Sequence, residues 1–237
     1  MAKVCEGITV HMMNPFHQRE PVFYASLQLG SETPKGPGPN REETRHRLAS
    51  TLWHYRAVRG NSPGNSRTDS PIQVVSGLRG RPHLLVGEYR VAISFSEGGG
   101  KIWAALSGGE SDIGIDAAVS AEFQKGYPLH RVFHPEELHH AVMLADGELG
   151  KASALLWSVK EAVAKALGCA FHLVEPRDIT VFPSTGDDGY TFPVGLSGKA
   201  LERVPLAAGR TLWVRSLPHG QTWLSIALLN RRPTVHE

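Results

Sequence analysis

The sequence predicts an α+β fold of two similar lobes, each a small, mostly antiparallel sheet packed with helices. Three observations carry that prediction. Apolar residues recurring at three- and four-residue steps mark helices at 41–58 and 155–168. Each is followed by short apolar runs broken by Gly- and Pro-rich turns, the pattern of hairpin-linked strands. The order of helix then strands occurs once before residue 116 and once after it, which divides the chain into lobes at 1–115 and 116–237, although no identity between the halves is strong enough to make a repeat.

At 237 residues, 41% hydrophobic and 20% charged, the chain has the composition of a globular protein able to bury a sizeable core. A net charge of +2 is too small to argue for nucleic acid. Cys5 and Cys169 show no CxxC spacing, so neither a zinc ribbon nor a disulfide framework is indicated, and a reducing compartment is favoured. No apolar run approaches the roughly 18–20 residues that span a bilayer. The start, MAKVCEGITV, lacks an apolar core followed by a cleavage site, so no membrane is expected and the expected location is cytoplasmic.

In chain order, the apolar stretch 22–29 reads as an edge strand or part of a helix, and GSETPKGPGPN at 30–40 as a loop. The helix at 41–58 puts Leu48, Leu52 and Tyr55 on one face and loads its start with Arg41, Arg45 and Arg47. Basic residues there oppose the helix macrodipole at about 0.3–1 kcal/mol when exposed; solvated arginines are the simpler reading, an anionic ligand the sharper one. Residues 59–71 form another loop, and GLRGRP within 72–85 marks a hairpin. Strands at 90–95, 101–106 and 112–117, separated by EGGG and SGGES, read as an antiparallel meander. In the last of these, Ile113 and Ile115 point to one side, and Asp112, Gly114 and Asp116 to the other.

From 121 to 149 the pattern is helical and loop-rich, with HPEELHH at 134–140 opening a helix through Pro135, Glu136 and Glu137. His134, His139 and His140 lack the spacing of a zinc-binding helix and are read as surface residues. The helix at 155–168, LLWSVKEAVAKALG, buries Leu155, Val159, Ala162, Val163 and Ala166 and stops at Gly168. Trp157, Glu161 and Lys165 fall four apart on a different face. Strands follow at 179–182, 190–194, 211–216 and 222–229. There is no GxSxG elbow, Walker A loop or GxGxxG, and GLSGKA at 195–200 lacks the rest of a phosphate loop. Taken alone, an Asp ending a strand beside Gly is most often a turn cap. A Glu–Lys pair one turn apart is most often a surface pair worth about 0.3–0.5 kcal/mol.

Taken together, IGID at 113–116 and WSVKEAVAK at 157–165 resemble the Sfp-type 4′-phosphopantetheinyl transferase family, whose signature pairs a (V/I)G(V/I)D strand with a downstream W-x-x-K-E-x-x-x-K helix. Flanking features agree: Arg45 and Arg47 in an early helix, GRP at 80–82, ISFS at 93–96, and F-x-x-x-E from Phe133 to Glu137. The resemblance runs from about residue 41 to residue 229. It implies an active site between the lobes and a monomer that moves the 4′-phosphopantetheine arm of coenzyme A to a serine of an acyl or peptidyl carrier protein. Asp116 and Glu161 would hold Mg²⁺, which prefers oxygen ligands and usually keeps substrate phosphates and water as the others. Lys165 and Lys160 would contact phosphate. Arg81 and Arg45 would take the 3′-phosphate and adenine end, with Ser96 beside them, and Glu161 or a metal-bound water would accept the serine proton.

Two residues depart from the family's pattern. Ala118 stands where a second carboxylate follows the Asp by two residues, a place that water or Glu97 would fill. Phe95 stands where the family carries a phosphate-binding His, and losing a charge-assisted contact there costs on the order of 1.5–3 kcal/mol unless Lys101 or another His compensates. The region 98–109 is also longer than the family's usual spacing. The resemblance therefore leaves a second expectation open, a non-catalytic member that binds coenzyme A or a carrier protein.

Overall fold

The computed structural model describes residues 7–14, 20–29, 40–59, 70–77, 80–123, 126–169, 171, 173–185, 190–203 and 212–229. Their strands form two fully antiparallel sheets. The first holds β1 (Thr9–Met13), β2 (Val22–Gln28), β3 (Ile72–Ser76), β4 (Pro82–Val86), β5 (Tyr89–Gly98) and β6 (Lys101–Ser107), in the order β1-β2-β6-β5-β4-β3. The second holds β7 (Asp112–Val119), β8 (Ile179–Val181), β9 (Thr191–Leu196), β10 (Leu212–His219) and β11 (Thr222–Leu229), in the order β7-β11-β10-β9-β8. Helix α1 (Arg41–Arg59) precedes β3 in the chain. Helices α2 (Leu129–Val132), α3 (Pro135–Leu144) and α4 (Leu149–Ala166) lie between β7 and β8, and α5 (Gly198–Arg203) follows β9. Among these helices none is long and apolar enough to cross a membrane.

The period-two alternation of the strands builds the layers. In the first sheet Phe23, Ile93, Ile102 and Leu106 meet Leu48 and Leu52 of α1 on one side. Tyr24, Ala92 and Trp103 meet Ile113, Ile115, Leu224 and Ile226 of the second sheet on the other. The far side of the second sheet packs on α4 through Leu155, Val159, Ala162 and Val163. Each leucine of these cores, removed wholly from water, contributes about 1.5–3 kcal/mol of transfer free energy. The α+β architecture of two helix-packed antiparallel sheets is as expected.

Four elements differ from expectation. The stretch at 22–29 is an interior strand, β2, with Val22, Phe23, Tyr24 and Ala25 all buried between β1 and β6. Strand β1 and helix α5 carry too weak a period to have been foreseen. The strand at 112–117 is not the third of a meander: it is β7, the edge strand of the second sheet, paired with β11. The linker explains it. The N–H of Gly108 donates to the Pro21 carbonyl at 2.8 Å and the Ser111 hydroxyl donates to Glu20 at 2.7 Å, so the chain is carried over the first sheet rather than folded back along it. Most of the loops read at 30–40 and 59–71, namely 30–39 and 60–69, lies outside the described residues.

Helix α4 seats directly on β7. A Cβ at Gly114 would overlap the Ala162 carbonyl and the Ala166 amide, so only glycine lets the helix come this close. The helix ends where Gly168 takes φ 71°, with the Cys169 N–H reaching back to the Ala164 carbonyl at 3.0 Å.

Candidate active site

β7 is an edge strand, and its outward N–H groups need partners. Alternation along β5 supplies them: Ser94 and Ser96 face β7, and their hydroxyls accept the N–H groups of Ile115 and Ala117, each at 3.1 Å. The Ser96 hydroxyl donates in turn to Asp116 Oδ1 at 2.8 Å. Phe95, between the two serines, turns instead toward α1.

The other face of β7 carries Asp116 toward α4. There Lys165 Nζ donates to Asp116 Oδ1 at 2.7 Å and to the Ile115 carbonyl at 3.1 Å, with Glu161 Oε2 3.5 Å away. The pair one turn apart on the helix is therefore joined to the strand by a third charged group. Burial, then the charge of Asp116, pushes the Glu161 carboxyl up from 4.5 to about 7 against the opposing pull of Lys165. Glu161 thus exchanges its proton near neutrality.

Two cavities flank this centre. One, of about 430 Å³, is lined by the carboxylates of Glu97, Asp116, Glu122 and Glu161 and by the cations Arg45 and Lys165. The other, of about 330 Å³, is lined by Arg45, Arg81 and Lys165 and by no carboxylate. Arg45, Phe95 and Lys165 belong to both. Arg81 is fixed by Asp112 Oδ2 at 3.1 Å and by the Ala166 carbonyl at the C-terminal end of α4, where a cation complements the helix dipole. Arg45 pairs with Glu97 at 3.2 Å, and Glu97 also holds Arg41 at 3.2 Å. That shared carboxylate, with Glu42 and Glu43 in the first turn and the Asn40 side chain accepting the Glu42 N–H at 3.0 Å, answers the basic start of α1.

Of the expected site residues, Asp116, Glu161, Lys165, Ser96, Arg45 and Arg81 line these cavities. Lys160 does not, and its expected phosphate contact is corrected. Its side chain is fully buried, paired with Glu137 at 2.7 Å and donating to the carbonyls of Ile179 at 2.6 Å and Pro176 at 3.0 Å. One helical residue is a turn of about 100°, so neighbours in sequence face different ways: Glu161 opens on the cleft while Lys160 points into the core of the second lobe. Glu137 also accepts the N–H groups of His134 at 2.8 Å and Val181 at 3.0 Å, so the F-x-x-x-E feature locks α3 and β8 to α4. Glu97, offered as a filler for the place at Ala118, is engaged by two arginines instead. His134 and His140 bond backbone carbonyls away from the cleft.

Glu122 was not foreseen. It sits in the 3-10 turn Ser120–Phe123, which folds back after β7, and burial together with the Asp116 charge pushes its carboxyl up. It lies beyond the end of β7 at Val119, so the alternation that places Asp116 does not extend to it. Among the described residues no group of three or more His, Cys, Asp or Glu is arranged to hold a metal ion.

Residues 112–204 match the family model of the 4′-phosphopantetheinyl transferase superfamily, which bears out the resemblance at the level of that superfamily. No curated protein matches the chain. Among solved structures, the Chronobacterium ammoniagenes ACPS–CoA complex is similar at 23% identity over 52% of this chain and 98% of that one, with a TM-score of 0.43. The holo-ACP-synthase of Plasmodium yoelii is similar at 18% identity over 50% and 92%, with a TM-score of 0.40. Helicobacter pylori holo-[acyl-carrier-protein] synthase in complex with coenzyme A is similar at 19% identity over 50% and 99%, with a TM-score of 0.38.

Proposed function

From the superfamily match over residues 112–204, we propose that the protein transfers the 4′-phosphopantetheine arm of coenzyme A to a serine of an acyl or peptidyl carrier protein, such as a domain of a polyketide, peptide or fatty-acid synthase. The observation that carries this reading is the meeting of the two cavities at Lys165, one rich in carboxylates and the other lined by three cations and no carboxylate. A donor that is a polyanion at one end and reacts at a phosphate suits that arrangement.

A pair of carboxylates suits a divalent cation that usually takes one or two of them. Asp116 and Glu161 both approach Lys165, and Asp116 lies close enough to raise the Glu161 carboxyl. Asp116 and Glu161 would hold Mg²⁺ there, which when bound offsets the negative charge of the donor's phosphates. Arg81 and Arg45 bind the anionic nucleotide half of coenzyme A, and Lys165 donates to a phosphate oxygen. Glu161, as a carboxylate, takes the proton of the carrier serine. The bond formed joins the serine oxygen to the β-phosphorus. The bond broken joins that phosphorus to the bridging oxygen, which leaves with 3′,5′-ADP. Both sheets bordering the site come from one chain, which supports a monomer, and the reaction is assigned to the cytoplasm.

Phe95 and Ala118 favour a second reading, a non-catalytic binder of coenzyme A or a carrier protein, because neither side chain can donate to phosphate or ligate a metal. Intact-mass spectrometry of an apo carrier protein with this protein, coenzyme A and Mg²⁺ separates the two. A gain of one phosphopantetheine arm, lost without the metal, is expected. Coenzyme A binding with no gain across a panel of carriers would establish the binder, and absence of binding would overturn both.

A further inference from the structure

We infer that Arg45 grips the diphosphate of the donor at the junction of the two cavities, standing on the ring of Phe95 and exchanging Glu97 for phosphate. The inference rests on coenzyme A being the donor. At the junction β5 presents no charged donor: Ser94 and Ser96 are turned to β7, where Ser96 donates to Asp116, and Phe95 offers only a ring face. A diphosphate passing from the cationic cavity into the acidic cleft meets Lys165 and Arg45, the two cations common to both.

Arg45 is the cation placed to adjust. Its side chain is 45% exposed, against 16% for Arg81 and 30% for Lys165, which are tied to Asp112 and Asp116 respectively. The guanidinium carbon lies 5.9 Å from the centroid of Phe95, within cation–π range, so the ring supports the head group without competing for its N–H groups. Glu97 holds it at 3.2 Å through one nitrogen. The diphosphate carries two negative charges against the carboxylate's one and accepts the planar fork in bidentate fashion, so it displaces Glu97. Glu97 then keeps Arg41 and is not left as an unpaired charge. Phe95 thus becomes the platform for a cation delivered from α1, in place of a donor delivered from β5.

The test is calorimetric binding of coenzyme A and of dephospho-coenzyme A, which lacks only the 3′-phosphate, with Mg²⁺ present and unfolding temperature as the control for fold. Arg45→Ala is expected to weaken both ligands equally, about ten- to a hundredfold. Arg45→Lys recovers part of the loss, since an ammonium lacks the fork. Glu97→Gln tightens both severalfold, and only while Arg45 is present, an effect that a merely structural role for the pair would not produce. Weakening of coenzyme A alone would move Arg45 to the 3′-phosphate and overturn the inference, as would unchanged binding of both. Failure of the unaltered protein to bind either ligand would instead bring down the donor assignment itself.

Discussion

The two cavities share Arg45, Phe95 and Lys165 and differ in almost everything else that lines them: one adds four carboxylates, the other none and a further arginine. The difference traces to positions along α4. Glu161, one turn before Lys165, faces Asp116 within the edge strand, so the acidic side gathers where helix and strand converge. Arg81 docks where the helix runs out and its carbonyls present partial negative charge. A single helix therefore separates opposite charges over little more than a turn, with Lys165 as the boundary. Such an arrangement suits a ligand that must be held by its anionic end while its reactive phosphate lies among carboxylates.

The contrast breaks hardest at Glu161. Glu161→Gln is expected to lower carrier modification by a factor of about a thousand or more while coenzyme A affinity stays within a few-fold, measured by intact mass and calorimetry. Full activity would remove Glu161 from the chemistry. Lys160→Met sharpens the contrast from outside both cavities. Stripping Glu137 of its buried partner is expected to cost about 3–5 kcal/mol in denaturant unfolding, with the KM for coenzyme A of the folded fraction unchanged. A raised KM with unchanged stability would return Lys160 to the site. Arg81→Ala breaks the cationic side, where a ten- to hundredfold loss of coenzyme A affinity, larger than any fall in kcat, is the expected reading, at roughly 1.5–3 kcal/mol.

The smallest effect is one of pH. Glu161 keeps its proton up to about 7 in the folded chain, whereas the ordinary value is 4.5. Between those values the folded state binds more protons, so the contribution of this group to stability is greatest below 4.5 and is lost as pH rises to about 7. Lowering of the His219 value by burial works in the opposite direction. The informative quantity is therefore the Tm of Glu161→Gln minus that of the unaltered protein, which should grow between about pH 5 and about pH 8. A constant difference would mean that Asp116 and burial do not hold the proton on Glu161.

Most of the fold could be read from local periodicity, and so could the centre of the candidate site. Alternation along 112–116 separated Ile113 and Ile115 from Asp116, and the four-residue step in α4 put Glu161 and Lys165 on one face, where the structure joins them to that Asp. What failed to show was whatever depended on a second element. A Gly-rich linker looks alike whether it closes a hairpin or crosses to another sheet, so the local pattern does not reveal which sheet β7 joins. Lys160 is adjacent to Glu161 in the motif, and only Glu137 and the carbonyls of Pro176 and Ile179 reveal that it serves the core. Glu122 returns toward Asp116 through one short 3-10 turn, too brief to show its period in the sequence.

The serine hydroxyls that occupy the margin of β7 have a mechanical consequence. An open strand margin lets two bodies slide or hinge at little expense; here two peptide N–H groups and Asp116 all depend on Ser94 and Ser96 staying in place. Parting the sheets at this line would orphan each buried group at about 1–3 kcal/mol apiece, so the seam acts as a stitched joint. Ser96 on one sheet and Asp116 on the other are thereby pinned at one spacing across the seam.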